Sequence, residues 1–279
     1  VSPSNPFFSE NGRDNPVREI AGMDFVRGVW LPGGGWTASW IVNTGPGEHH
    51  LSGRDWHPSQ AAKVDYIGPE ASGAVLYHEG KDESPSVRGY AQWTASDALL
   101  AYGEASLSKG THALYPNDGR LESTRKGTPN LIPMLLLGGS YTLESGPTLY
   151  LEYIFNGEGY NESEADQSFD LAHRFGEAVD EGLIPSGTEL PNLRRKLLRR
   201  NYLFFQYVQT DIQDKIDVIL RWAENLDDRS SLLTGFAEYA VGDQLRLFGF
   251  TTWGAGGNRD EFGSLIRFQG ILGIEFTAF

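Results

Sequence analysis

Residues 262–279, FGSLIRFQGILGIEFTAF, decide the fold. Ser264, Ile266, Phe268, Gly270, Leu272, Ile274, Phe276 and Ala278 form one small or apolar row, while Arg267, Gln269, Glu275 and Thr277 interrupt the other. Successive Cβ atoms of a strand point to opposite faces, so a period of two marks a strand. The stretch predicts one long closing strand with an apolar face and a mostly polar face.

Upstream, the same alternation runs through 17–31, 36–43, 61–67, 73–79, 86–94, 99–108, 131–143, 148–156, 201–209, 215–224, 232–241 and 244–253. Clusters of Gly, Pro, Asn and Asp separate these runs, giving about thirteen strands with the closing one. The connections alternate in length. Short ones fall at 32–35, 68–72, 95–97, 144–147, 210–214 and 242–243, and longer ones at 44–60, 80–85, 109–130, 157–200, 225–231 and 254–261. Transmembrane barrels have short turns on the periplasmic side and long loops outside, and a soluble sandwich has no reason to show this rhythm.

Several strands also separate charge from grease. Leu149, Leu151, Tyr153 and Phe155 alternate with Thr148, Tyr150, Glu152 and Asn156, and Ile216, Val218, Leu220 and Trp222 with Lys215, Asp217 and Arg221. A charge at the lipid midplane costs about 2–4 kcal/mol, so the charged rows are expected to face a lumen. Trp30, Trp36, Trp40, Trp93, Trp222 and Trp253 fall mostly near strand ends, where interfacial aromatics sit.

A strand of this length that closes a chain on an aromatic residue resembles the terminal strand of Gram-negative outer-membrane β-barrels. Ile271, Gly273, Phe276 and Ala278 fit the pattern of that family, with Phe279 one residue out of phase. The resemblance implies an antiparallel transmembrane β-barrel of the porin type, in the bacterial outer membrane. It also implies that Gly273, Phe276 and Phe279 carry the insertion signal read by the barrel-assembly machinery.

Laid out as a barrel, 17–279 form the wall and 1–16 an extracellular loop or N-terminal segment. Single-chain bacterial barrels have even strand numbers. With an odd count, either one strand is missed, or the chain is the C-terminal part of a larger barrel, or the N-terminal segment threads the lumen. The loop-like start VSPSNPFFSENGRDNP puts the second option first. It makes a missing barrel segment, or partner subunits, expected companions. That start also lacks a basic region followed by an apolar core, so an export signal is expected to have been removed or to lie upstream.

One region breaks the β pattern. Phe169, Ala172, Phe175, Ala178 and Val179 lie at helical spacing within 167–182, and Thr188-Glu-Leu-Pro191 opens a second expected helix over 192–201. The longest loop, near 164–200, is therefore expected to be a small helical cap.

Composition narrows the partners. Twenty-three basic against 37 acidic residues give a net charge of −14, which argues against nucleic acid. There is no cysteine, so disulfides and thiolate metal sites are excluded. No run of about 18 apolar residues occurs, which excludes a membrane-spanning helix and leaves spanning strands open.

The basic cluster Arg194, Arg195, Lys196, Arg199 and Arg200 is the sharpest local feature. It reads either as a contact for lipopolysaccharide phosphates or pore-bound anions, or as a solvated face balanced by Glu177, Asp180 and Glu181. The lumen-facing candidates are Lys63, Asp65, Arg88, Glu104, Glu152, Asp217, Arg221, Glu238, Arg246, Arg267 and Glu275. They either set a field for solutes or pair across strands and fill the interior. His49, His50 and His57 with Glu48 and Asp55 match no strong metal motif. His50 with Ser52, Ser123 or Ser140 lacks the arrangement of a lipid hydrolase. Gly33–Gly35 and Gly254–Gly257 are turn chemistry, since neither links a strand to a helix as a phosphate loop does. Asp82, Glu83, Asp227, Asp228, Asp260 and Glu261 are loop acids, solvated or bridging divalent cations to lipid.

The expected function is a channel for small polar or charged solutes, or for an exported polymer, with no cofactor. A barrel acting as scaffold or sheath in a larger complex is the alternative, and an outer-leaflet lipid hydrolase a third.

Overall fold

A computed structural model of the chain describes residues 24–45, 57–81, 85–110, 115–117, 120–122, 131–181, 197–242, 244–265 and 267–277. The strands are β1 (Asp24–Gly33), β2 (Trp36–Gly45), β3 (Ser59–Ile67), β4 (Ala71–Gly80), β5 (Ser86–Thr94) and β6 (Leu99–Lys109). A short ribbon follows, β7 (Tyr115–Asn117) with β8 (Arg120–Glu122). Next come β9 (Leu131–Thr142), β10 (Thr148–Asn156), β11 (Asn201–Ile212), β12 (Ile216–Asn225), β13 (Ser231–Ala240), β14 (Leu245–Ala255) and β15 (Phe268–Phe276). Apart from the ribbon, they form one 13-stranded antiparallel sheet in which every strand bonds its neighbours in chain order.

The thirteen strands expected from the alternation are all present, and so is the short–long rhythm of connections. Of the first, only the part from Asp24 is described; residues 1–16, with the rest of the N-terminal stretch, lie outside the described residues. Strands of 9 to 12 residues suit a bilayer, since a tilted transmembrane strand needs about 9–11.

Two expectations need correction. The stretch from Phe262 is not all strand: a helical turn, α2 (Glu261–Leu265), precedes β15. Its first residues are pinned from outside, the Phe262 amide donating to Ser230 Oγ at 3.1 Å, and this tertiary contact overrides a short run of alternation. Nor does a second helix reach Asn201. Residues 197–200 are irregular and Asn201 opens β11. Asn156 Nδ2 donates to the carbonyls of Leu197 and Arg199 at 3.2 Å each, and Asp227 Oδ2 accepts from the amides of Arg200 and Asn201, so these backbone groups are claimed by side chains.

Helix α1 (Glu162–Asp180) confirms the expected helical insertion and starts five residues earlier than its apolar spacing suggests. Its N-cap is a reciprocal pair at 2.9 Å: the Glu164 amide donates to Asn161 Oδ1, and the Asn161 amide donates to Glu164 Oε2.

The chain divides into two compact units, one of Val1–Thr94, Ala101–Ala113 and Ser123–Leu136, the other of Ala95–Leu100, Leu114–Glu122 and Leu137–Phe279. In the first, register lines Ala38, Val64 and Val75 across β2, β3 and β4 on one face, and Trp40, Ala62 and Tyr77 beside them. Val64, Val75, Trp40 and Tyr77 are exposed. The opposite face carries Ser39, Lys63, Leu76 and Arg88 in one row and Thr37, Asp65, Ala74 and Tyr90 in the next.

In the second unit Phe205, Trp222, Leu233, Trp253 and Phe268 form a row across β11 to β15, and Leu247 pairs with Ile274. All of these but Trp222 are exposed, and Leu272 on the same face is 91% accessible. Burying such side chains in water-free surroundings is worth about 25 cal/mol per Å², so a face this greasy does not rest in water.

Candidate functional site: a charged sheet face and the loops joined at its end

The charged face is built row by row from strand register. In the second unit Gln206, Arg221, Thr234, Thr252 and Gln269 follow one another across β11 to β15. Arg221 Nε donates to Gln206 Oε1 at 2.6 Å, which fixes the guanidinium along the row. Nearer the short turns, Asp217 stands opposite Glu238 and Arg246 opposite Glu275, with Arg246 and Glu238 paired at 3.3 Å. Glu152 pairs with Phe204 on this face.

In the first unit Lys63 and Asp65 are paired at 2.5 Å, with Lys63 Nζ 5.7 Å from the centre of the Tyr90 ring. Arg88 Nε donates to Ser86 Oγ at 3.0 Å. Arg27, a neighbour not among the expected residues, donates to Ser39 Oγ at 3.0 Å. Glu104 is half-buried in β6. Arg267 lies outside the strand, in the approach to β15, and donates to Asn258 Oδ1 at 3.1 Å.

Between the polar row and the charged pairs runs something the sequence reading does not contain. Val208, Ile219, Phe236, Phe250 and Ile271 line up across β11 to β15 on the charged face. They come from five different strands, and only the pairing assembles them.

At the long-loop end of the second unit, three connections meet on one buried carboxylate. Glu261 is 1% exposed. Its Oε1 accepts from the Leu198 amide at 2.9 Å, and its Oε2 accepts from the Tyr202 hydroxyl at 2.5 Å and from Asn225 Nδ2 at 2.8 Å. The Tyr202 hydroxyl in turn accepts from the Arg199 amide at 2.5 Å. Asp228 Oδ2 accepts from the Glu261 amide at 2.9 Å and from Asn225 Nδ2 at 3.0 Å, while its Oδ1 accepts from Ser230 Oγ at 2.7 Å.

Tyr202 and Asn225 are partners in register on the charged face, so the α2 turn is seated against that face. Phe262 packs on the Tyr202 ring edge to face, 6.3 Å between centres. An exposed ion pair, Arg259 with Asp170 at 2.6 Å, ties the same loop to α1, and the Tyr115 hydroxyl of β7 donates to the Glu158 carbonyl at 3.0 Å. Gly159 has no room for a Cβ beside the Arg199 carbonyl, which lets the two arms of the longest loop touch.

Burial in this node pushes the Glu261 carboxyl up to about 7, against the opposing pull of the hydrogen bonds from Tyr202 and the Leu198 amide, with the Asp228 charge adding to the rise. Asp227 goes the other way. Its partial burial alone would raise it, but hydrogen bonds from the Asn201 side chain and from the amides of Asn201 and Arg200, with the Arg199 charge nearby, hold it below the usual carboxylate range.

Of the basic cluster, Arg194, Arg195 and Lys196 lie outside the described residues. Arg199 is 8% exposed, and Arg200 Nε donates to the Gly159 carbonyl at 3.0 Å, so the described part of the cluster is built into the loop node. Glu261 and Asp228, read from sequence as loop acids open to solvent or lipid-bridging cations, are its structural centre. Gly273 and Phe276 lie in β15, and Phe279, His49, His50, Ser52, Asp82, Glu83 and Ser123 lie outside the described residues. Among the described residues no cluster of three or more metal-ligating side chains occurs.

A meander of bilayer-length strands, exposed and apolar on one face, charged on the other, with short turns alternating with long loops, is the fold of outer-membrane β-barrels of the porin type. Among solved structures the chain is similar to the outer-membrane porin OccAB1 of Acinetobacter baumannii, at a TM-score of 0.54 and 11% identity, over 88% of this chain and 65% of that one. It is also similar to the copper transporter OprC, at a TM-score of 0.46 and 11% identity, over 91% of this chain and 50% of that one. The chain thus spans less than two thirds of the length of either neighbour. No family model matches the sequence, and no curated protein matches it.

Proposed function

We propose that the protein resides in the bacterial outer membrane and forms a channel through which small polar or charged solutes pass along the charged face of the sheet. The observation that carries this reading is the segregation of side chains by register. The row ending in Trp253 and Phe268 suits hydrocarbon, while Arg221, Asp217, Glu238, Arg246 and Glu275 share the opposite face, where water replaces lipid. Mixed charges fixed on such a wall impose a transverse field that sorts solutes by charge. The fold shared with OccAB1 supports the reading.

Single-channel recording of the purified protein in planar bilayers tests it. Ohmic steps of stable size are expected, and Arg246→Glu or Arg88→Glu is expected to shift ion selectivity toward cations while assembly proceeds. Silence in the bilayer would turn the reading toward a scaffold or an outer-leaflet enzyme, and failure of both variants to insert would mean that these side chains face lipid.

A further inference from the structure

We propose that the apolar row Val208, Ile219, Phe236, Phe250 and Ile271 is a binding strip for a linear zwitterionic solute. The apolar middle of the solute lies on the strip, its anionic end meets Arg221, and its cationic end meets Asp217 and Glu238. The proposal names a solute class for the channel proposed above and rests on that reading only for the claim that a bound solute crosses the membrane.

The strip sits between two rows of opposite charge. On its long-loop side Gln206, Arg221, Thr234, Thr252 and Gln269 hold one cation and no acid, and the bond from Arg221 Nε to Gln206 Oε1 sets the guanidinium along the row. On its short-turn side register aligns Asp217, Glu238, Phe248 and Gly273, which hold two acids and no base. Arg246 stands one row further and pairs with Glu238 at 3.3 Å, while Asp217 Oδ1 accepts from the Asp211 amide at 2.9 Å. Alternate residues of a strand share a face, so Arg221, Ile219 and Asp217 follow one another along β12, and Thr234, Phe236 and Glu238 along β13. From the cationic row to the acidic row is therefore about 13 Å along the strand.

The strip is open to a solute. Ile271 is 48% exposed and the other four side chains are half-buried. Phe248 extends the apolar floor without closing it, because its ring occupies the space that a Cβ at Gly273 would need and so lies over that residue. Apolar surface on the wall of an aqueous passage stays wet until something greasy covers it, and covering it is favourable in proportion to the area removed from water. A solute charged throughout gains nothing there. One that is apolar throughout strips water from the flanking charges and gives them no partner. A solute about 13 Å long with opposite charges at its ends satisfies all three rows, and the order of the charges fixes the direction in which it lies.

Calorimetric titration of the whole protein in lipid nanodiscs, with empty nanodiscs as the blank, reads the strip without reference to conduction. The probe is the zwitterionic tetrapeptide Ala-Leu-Leu-Ala, about 13 Å long when extended. It is expected to bind about tenfold more tightly than tetraglycine, which has the same end charges and no apolar middle, and more tightly than its own N-acetylated or C-amidated forms. Phe236→Ser is expected to weaken the tetrapeptide about tenfold and to leave tetraglycine unchanged, and Ile219→Ser serves where Phe236→Ser does not assemble. In Arg221→Gln the free and amidated peptides are expected to bind alike, because the carboxylate has lost its partner. No binding of the tetrapeptide, equal binding of tetraglycine, or a preference for the free carboxylate that survives Arg221→Gln would overturn the strip. Recording in planar bilayers separates the two readings: binding by a silent protein would leave the strip standing and remove the channel, and ohmic steps without binding would do the reverse.

Discussion

Asp227 and Glu261, two acids of the same loop node, respond to acid in opposite senses. Hydrogen bonds from Asn201 and Arg200 depress the pKa of Asp227, so the stabilisation it lends is present above about pH 4 and lost as the pH falls through the depressed value. Exchange of the Arg200 and Asn201 amides is expected to accelerate below about pH 4 in the wild type, and Asp227→Asn is expected to show no such acid step. Glu261 runs the other way: with its carboxyl raised to about 7, what its burial lends as a neutral acid is present below about pH 4.3 and lost as the pH rises from there to about 7. None of this is written locally: Glu261 binds partners 59 and 36 residues away, so a single loop acid gives no sign of whether it is solvated or enclosed.

At the level of elements, period-two alternation made the strands legible, because a strand between hydrocarbon and water has to repeat its pattern along its whole length. Helix α1 was legible as a helix but not at its start. The Asn161-x-x-Glu164 capping signal begins six residues ahead of 167, where the apolar spacing starts, and it is the cap that sets the helix start. Asn161→Ala is expected to cost about 1 kcal/mol of helix stability, seen as faster exchange in the first turn of α1. Arg259→Ala, by contrast, removes an exposed pair worth less than about 1 kcal/mol and is expected to leave that turn unchanged. The closing stretch failed in the other direction, its first residues taking a helical turn because Ser230 and Asp228 hold the Glu261 and Phe262 amides.

For the molecule as a whole, the division into an oily and a charged face was readable strand by strand, whereas the composition of the charged face was not. Register, a property of pairs, places Val208, Ile219, Phe236, Phe250 and Ile271 in one line and turns Arg221 toward Gln206. Leu272→Lys tests the division directly. A cation at midplane on the oily face costs about 2–4 kcal/mol, so the urea midpoint for folding into lipid vesicles is expected to drop clearly, while Gln269→Lys, across the sheet, is expected to leave it within error. The strict alternation also limits how such a chain can change in length. One extra residue inside β12 ahead of Arg221 would push Arg221 into the place of Trp222 and carry every later side chain of that strand to the wrong side, whereas the loop from 157 to 200 absorbs a whole helix without disturbing a single pair. Insertions and deletions between homologous chains should therefore collect in the loops, and any found within a strand should come in twos or be matched by a bulge.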